Sequence, residues 1–224
     1  MRWSASALRR FCAYPKVLDV DRERTPDQQR AIDRGVAFHA AVERWAHDGS
    51  IPVVDDLEIQ GWLDLLATQW DPLGKRLEVA WGLGEDGSHV MVSEPRPHCY
   101  EPLSGGAPLL TAGRNDAAWL NMRDTLFVAD WKTGVWPVEP AATNLQINAA
   151  GLALARRWNA SAYVPGVYYA RDGVFDWGDP VAMGSDAAAR IFADVKASAQ
   201  LPAEPIPGDH CAGCWSRKRC PAAA

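Results

Sequence analysis

Leu109-Leu-Thr-Ala-Gly-Arg-Asn-Asp116-Ala-Ala-Trp-Leu120-Asn-Met-Arg-Asp124-Thr-Leu-Phe-Val-Ala-Asp130-Trp-Lys132 reads as two strands, roughly 109–120 and 125–132. The tight turn Asn121-Met122-Arg123-Asp124 joins them and makes them antiparallel. Counted out from that turn, Asp116 and Asp130 are about equally distant, so they face each other across the pair. Strand geometry sends Asp130 and Lys132 to one face, roughly 6–7 Å apart, with Trp131 on the other. A carboxylate and an ammonium at the end of so apolar a strand are costly unless they have partners or a task. Two carboxylates side by side repel unless a cation lies between them. Oxygen ligands of this kind suit Mg²⁺ or Mn²⁺. A nearby ammonium then serves to orient a water or to neutralise charge on a phosphate. Gly113 leaves space for a close backbone or ligand approach.

Outward from this hairpin, the pattern is α/β. Thr25-Pro26-Asp27-Gln28 has the form of a capped helix start, and the helix carries Ala31, Ile32, Val36, His39, Ala40 and Glu43 to a stop at Asp48-Gly49. Residues 56–70 predict a second helix with Leu57, Trp62, Leu65, Leu66 and Gln69 at helical spacing. Residues 76–83 alternate as a strand, 84–87 turn, and His89 to Ser93 return. The Pro- and Gly-rich stretch 94–108 reads as a loop. After the central hairpin come a helix at about 141–158, strands at 162–170 and 174–178, and a helix at 185–199. The order implies a central mixed sheet flanked by helices. Ser4 is a candidate cap for a short N-terminal helix with Leu8 and Phe11 on one side. Gly82-Leu-Gly84-Glu-Asp-Gly87 matches a dinucleotide fingerprint, but strand-like residues follow it where a helix should begin, so it reads as a hairpin turn.

The 224 residues fit one unit, taken as 1–224, and 48% hydrophobic residues suffice for a core. No apolar run approaches the ~18 residues of a membrane span, and no secretory signal is evident. A cytoplasmic, reducing setting is therefore expected, in which clustered cysteines are metal ligands sooner than disulfides. The net charge of −5 argues against a protein that coats nucleic acid non-specifically. The ends are locally basic, with Arg2, Arg9, Arg10 and Lys16 at one and Arg217, Lys218 and Arg219 at the other.

Further candidates lie outside the hairpin. His39 and Glu43 share a helix face, and an imidazole suits Mn²⁺ better than Mg²⁺. Glu78, on the first strand, could orient a ligand or Lys132. Gln146 begins a helix just after the Asp130 strand, where an amide could bind a phosphate or hold the lysine. Cys12 together with Cys211, Cys214 and Cys220 (C-x2-C-x5-C) makes one four-thiol site between elements at 4–16 and 208–221. Such spacing allows zinc or an iron–sulfur cluster. Either metal would close a loop of nearly the whole chain, a structural role. Cys99 reads as a bystander.

The ordered series Gly35-x3-His39-x3-Glu43, Glu78, Gly113-x2-Asp116, Asp130-Trp131-Lys132-Thr-Gly and Leu-Gln146, framed by the cysteines, resembles the RecB-like nucleases of the PD-(D/E)XK superfamily, in their iron–sulfur branch. The resemblance covers about residues 4–220 and implies the restriction-endonuclease-like core. It implies that His39, Asp116 and Asp130 bind Mn²⁺ or Mg²⁺ with the carbonyl of Trp131, that Lys132 positions the attacking water, and that a 4Fe–4S cluster sits on Cys12, Cys211, Cys214 and Cys220. The activity it implies is exonucleolytic cleavage of single-stranded or end-frayed DNA in recombination, repair or CRISPR adaptation. A strand would enter over Trp215, Arg217, Lys218 and Arg219, with an integrase or helicase as a possible protein partner. Asn115 stands where the superfamily has Pro, and Ala150 where the family usually has Tyr. The competing readings are a non-catalytic DNA-binding adaptor with this fold and a zinc-stapled binding module.

Overall fold

A capping box starts the first helix of the described residues, α1 (Pro26–Asp48), in the computed structural model. The Thr25 side chain accepts from the Gln28 N–H at 3.3 Å and Gln28 Oε1 accepts from the Thr25 N–H at 3.1 Å. Pro26 sits at the first helical position, and Gly49 in the left-handed region (φ 74°) ends the helix. The described residues are Leu8, 25–96, 99–103, 107–134, 138–202, 204–208, 220 and 221. The expectations for Cys12, Cys211, Cys214, Trp215, Arg217, Lys218 and Arg219 lie outside them.

The remaining elements in chain order are α2 (Leu57–Ala67), β1 (Arg76–Gly84), β2 (His89–Val90), β3 (Val92–Arg96), β4 (Cys99–Pro102), β5 (Leu109–Leu120), β6 (Thr125–Lys132), α3 (Leu145–Arg157), β7 (Ala162–Tyr169), β8 (Val174–Trp177), β9 (Val181–Ala182) and α4 (Asp186–Ala199). The main sheet runs β2-β1-β5-β6-β7-β8, with β9 added beside β7. Every pairing in it is antiparallel except β6–β7, which is parallel, as a strand–helix–strand crossover through α3 requires. The sheet is mixed, with helices on both faces.

On one face α1 and α2 bury Phe38, Ala41, Val42, Trp45, Ile59, Trp62, Leu63 and Leu66 against Ala117, Ala129 and Trp131. On the other, α3 is buried along almost its whole length between the sheet and α4, packing against Ala118, Leu126 and Val128, with Val195 of α4 in the same cluster. Leu8 joins this second cluster. Each fully buried Leu or Phe stabilises the fold by roughly 1.5–3 kcal/mol. No helix among the described residues is long and apolar enough to cross a membrane.

Three local expectations need correction. Residues 94–108 were expected as a loop, but β3 and β4 form a small antiparallel sheet there. The second helix ends at Ala67, and it buries Ile59 and Leu63 while Leu57 and Leu65 are exposed. In α1 the apolar Ile32 and Val36 are exposed, and the buried face is carried by Phe38, Ala41, Val42 and Trp45. The glycine motif at 82–87 is a hairpin turn as read, closed by the Gly84 N–H donating to the Ser88 carbonyl.

Candidate metal centre

Register brings three carboxylates into one row. The β5–β6 ladder runs from Leu120 opposite Leu126 to Ala117 opposite Ala129, which places Asp116 opposite Asp130. The β1–β5 ladder pairs Leu77 with Ala117 and Val79 with Asn115, which places Glu78 opposite Asp116. Glu78 is in the left-handed region, φ 49°, which non-glycine residues rarely adopt. The kink breaks the strand's alternation: Leu77 packs with the α1–α2 side and Val79 with the α3–α4 side. Strain of this kind persists only where the surroundings enforce it, and here it sets the Glu78 carboxylate beside His39.

His39 comes from α1, at the border of the stripe formed by Phe38, Ala41, Val42 and Trp45. Its Nδ1 lies 3.4 Å from Asp116 Oδ1 and 3.7 Å from Glu78 Oε1. One donor atom from each of His39, Glu78 and Asp116 lies within 4.8 Å of the others. The approach of α1 depends on Gly35, one turn earlier, where a Cβ would meet Thr133 Oγ1 at 2.8 Å. Glu43 is exposed and outside this group, so the shared helix face of His39 and Glu43 does not become a shared site.

Beside this triad, Asp130 Oδ2 lies 2.5 Å from Lys132 Nζ, and Asp130 Oδ1 accepts from Gln146 Nε2 at 3.2 Å. Gln146 thus holds the carboxylate and not the lysine. The Trp131 N–H donates to Asp116 Oδ2 at 2.5 Å, leaving Asp116 Oδ1 directed at His39. The grouped side chains include His39 and Asp116 of the expected His39, Asp116, Asp130 and Trp131 set. Glu78 is the third member of that group, and Asp130, paired with Lys132, lies next to it. The Trp131 indole is buried among Trp70, Tyr168 and Phe175.

Charge explains how these groups coexist. Burial alone would lower the His39 pKa, but the Asp116 carboxylate, helped by Glu78 and Asp130, raises it to about 10. Burial pushes Asp130 up, Asp116 adds to that, and Lys132 opposes it. His39, Lys132 and Arg114 thus offset the three carboxylates when no metal is bound. Two oxygens and an imidazole nitrogen, with a buried carboxylate adjacent, form a donor set that suits Mn²⁺ or Mg²⁺. The residues present fit such an ion.

Two further residues shape the site, and sequence reasoning assigned neither a role. Asn115 is 3% exposed and its Nδ2 donates to the Ala117 carbonyl at 2.5 Å and the Ala129 carbonyl at 3.1 Å. It seals the last rung of the β5–β6 ladder where the strands begin to part around Asp116. The only signal in the sequence was an amide where the superfamily has Pro. Arg114 lies 3.6 Å from Glu78 Oε2 and pairs with Glu94 of β3, tying the kinked strand to the small sheet. Asn115→Asp is expected to destabilise the protein by about 3 kcal/mol or more at neutral pH, because a buried carboxylate would face two carbonyl oxygens. The urea midpoint checks this, and the loss should shrink as pH falls and the new carboxyl protonates. Ala150, at the family's Tyr position, is 1% exposed in the α3 core. Of the four cysteines only Cys220 is described, and it is half-buried.

The model of the PD-(D/E)XK nuclease superfamily matches residues 2–221, and the chain belongs to that superfamily. Its members are usually metal-dependent nucleases that use Mg²⁺ or Mn²⁺. No protein with a curated description matches the chain.

Proposed function

We propose that this protein is a divalent-metal-dependent DNA exonuclease of the RecB-like, iron–sulfur branch, acting on single-stranded or end-frayed DNA. The observation that carries the reading is the convergence of His39, Glu78 and Asp116 beside the Asp130–Lys132 pair. His39, Glu78 and Asp116 would hold the cation, with Asp130 next to them. A bound Mg²⁺ or Mn²⁺ supplies Lewis-acid polarisation of the phosphate and a water of lowered pKa. Lys132 orients the attacking water in line with the phosphodiester and offsets charge developing on the phosphate oxygens. Gln146 keeps Asp130 in place, and the Trp131 N–H fixes the rotation of Asp116.

The test incubates pure protein with end-labelled single- and double-stranded DNA and Mn²⁺, beside an Asp130→Ala variant. Cleavage by the wild type that the variant lacks, with products shortening from the ends, supports the reading. Equal behaviour of the two proteins sinks it and favours a non-catalytic adaptor.

The four-cysteine site belongs to this reading on the strength of its spacing and the resemblance. Cys214→Ser is expected to abolish the brown colour of anaerobically purified protein and to lower its melting temperature. A colourless but normally stable wild-type protein would count against the cluster.

A further inference from the structure

We propose that the groove along the outer edge of β1 is a track for the nucleic-acid backbone, where Arg76 and Arg157 take phosphates of a strand that leads to the metal centre. The proposal rests on the nuclease reading above and gives it a substrate path among the described residues. The groove is a cavity of about 550 Å³ whose walls include Arg76, Leu77, Val79, His89, Met91 and Arg157. Among the described residues its lining holds two guanidiniums and an imidazole but no carboxylate, on a chain of net charge −5. Neither arginine has a carboxylate within ion-pair distance among the described residues, whereas Arg114, on the neighbouring strand, is tied to Glu78 and Glu94. Among the described residues the charge of the groove is therefore uncompensated.

Placement links this charge to the chemistry. Arg76 is two residues before Glu78 on β1, and Leu77 and Val79 in the groove wall flank Glu78 in sequence. The edge is open because β2 pairs only with Gly82 and Leu83, which leaves residues 76–81 with no outer strand partner among the described residues. Both guanidiniums are held in place without being used up. Arg157 Nη1 donates to the Ala80 carbonyl at 3.3 Å, and Arg76 lies over the Trp158 ring at 5.4 Å. An arginine has five N–H donors, so most remain free for phosphate oxygens. Leu77, Val79 and the half-exposed Met91 offer apolar surface to sugars and bases. His89, lowered by burial and by the charge of Arg157, stays neutral there. Protection of an open strand edge would account for the Arg157–Ala80 bond, but not for Arg76 or for the missing carboxylates.

The test compares wild type with the Arg76→Gln/Arg157→Gln double variant. Glutamine at 157 keeps a donor for the Ala80 carbonyl and removes only the charge. The affinity for a fluorescein-labelled 20-nucleotide single strand, and for the corresponding duplex, is measured from 50 to 200 mM salt in Ca²⁺. Two lost phosphate contacts should flatten the log–log salt slope by about 1.4 for the single strand or about 1.8 for the duplex, which tells the two forms apart. In Mn²⁺ the change should fall on KM and not on kcat, and the Arg76→Lys/Arg157→Lys variant should recover most of the slope. An unchanged slope and KM in a protein whose wild type cleaves DNA would overturn the groove alone. A wild type that binds no nucleic acid would overturn the nuclease reading and the groove with it.

Discussion

Asp130→Asn is expected to lower the cleavage rate by about 10³-fold or more while the metal-free protein melts no earlier than the wild type. A carboxylate beside the cation contributes several kcal/mol of charge stabilisation, at about 1.36 kcal/mol for each tenfold in rate. Asparagine keeps the oxygen that accepts from Gln146 but loses the charge that faces Lys132 and the cation site. Stability should move the other way, because Asp130 is 4% exposed and its pKa is raised by burial. For a carboxyl whose folded-state pKa lies above its unfolded value, ionisation opposes folding at pH above both, and the penalty fades as pH falls through the folded pKa. Neutral asparagine removes that penalty at pH 7. Site residues that cost stability for the sake of activity are common. Paired kinetics and metal-free thermal melts check both halves. A variant that cleaves normally, or one that simply unfolds, would contradict the role given to Asp130.

Mn²⁺ should stabilise the wild type by about 2.7 kcal/mol at a hundred times its Kd, a shift of roughly 5–11 °C for a domain of this size. At a fixed Mn²⁺ concentration the shift should grow as pH rises. His39 binds a metal only as the neutral imidazole, yet its folded-state pKa is held at about 10 by Asp116. The sign follows from linkage. A histidine raised above its ordinary value of about 6.5 contributes stability that is fully present below that value and is lost as pH rises through about 10. The metal-free protein therefore loses this contribution over the same range in which the cation meets less competition from the proton. Calorimetric titration with Mn²⁺ at pH 7.5 in two buffers of different ionisation enthalpy should report close to one proton released per ion bound. His39→Ala should release none and show little thermal shift. Equal proton release in both proteins would remove His39 from the ligand set.

Much of the fold was legible because its signals are local. The Asn121–Asp124 turn dictates a register, and that register alone brings Asp116 opposite Asp130. The Thr25–Gln28 box and Gly49 delimit α1 because caps act through neighbouring backbone groups. What escaped the reading depends on how distant pieces meet. Helical spacing says that His39 and Glu43 share a face, but not which part of the face meets the sheet. The structure turns His39 towards Asp116 and Glu78 and leaves Glu43 in solvent. Nothing in Arg-Leu-Glu78-Val announces a left-handed kink, since the residue that would signal it, glycine, is absent. Glu94 was hidden in a Pro-rich stretch whose composition reads as loop, although it lies in β3 and anchors Arg114. The part played by Asn115 was not legible, because its task is to meet carbonyls on two strands at once.

Crystals soaked in Mn²⁺ and measured at the manganese absorption edge offer the most direct check on the cation site. The expected result is one anomalous peak within bonding distance of His39, Asp116 and Glu78, absent from crystals of Asp116→Ala. A peak elsewhere on the chain, or no peak at a Mn²⁺ concentration that supports cleavage, would contradict it.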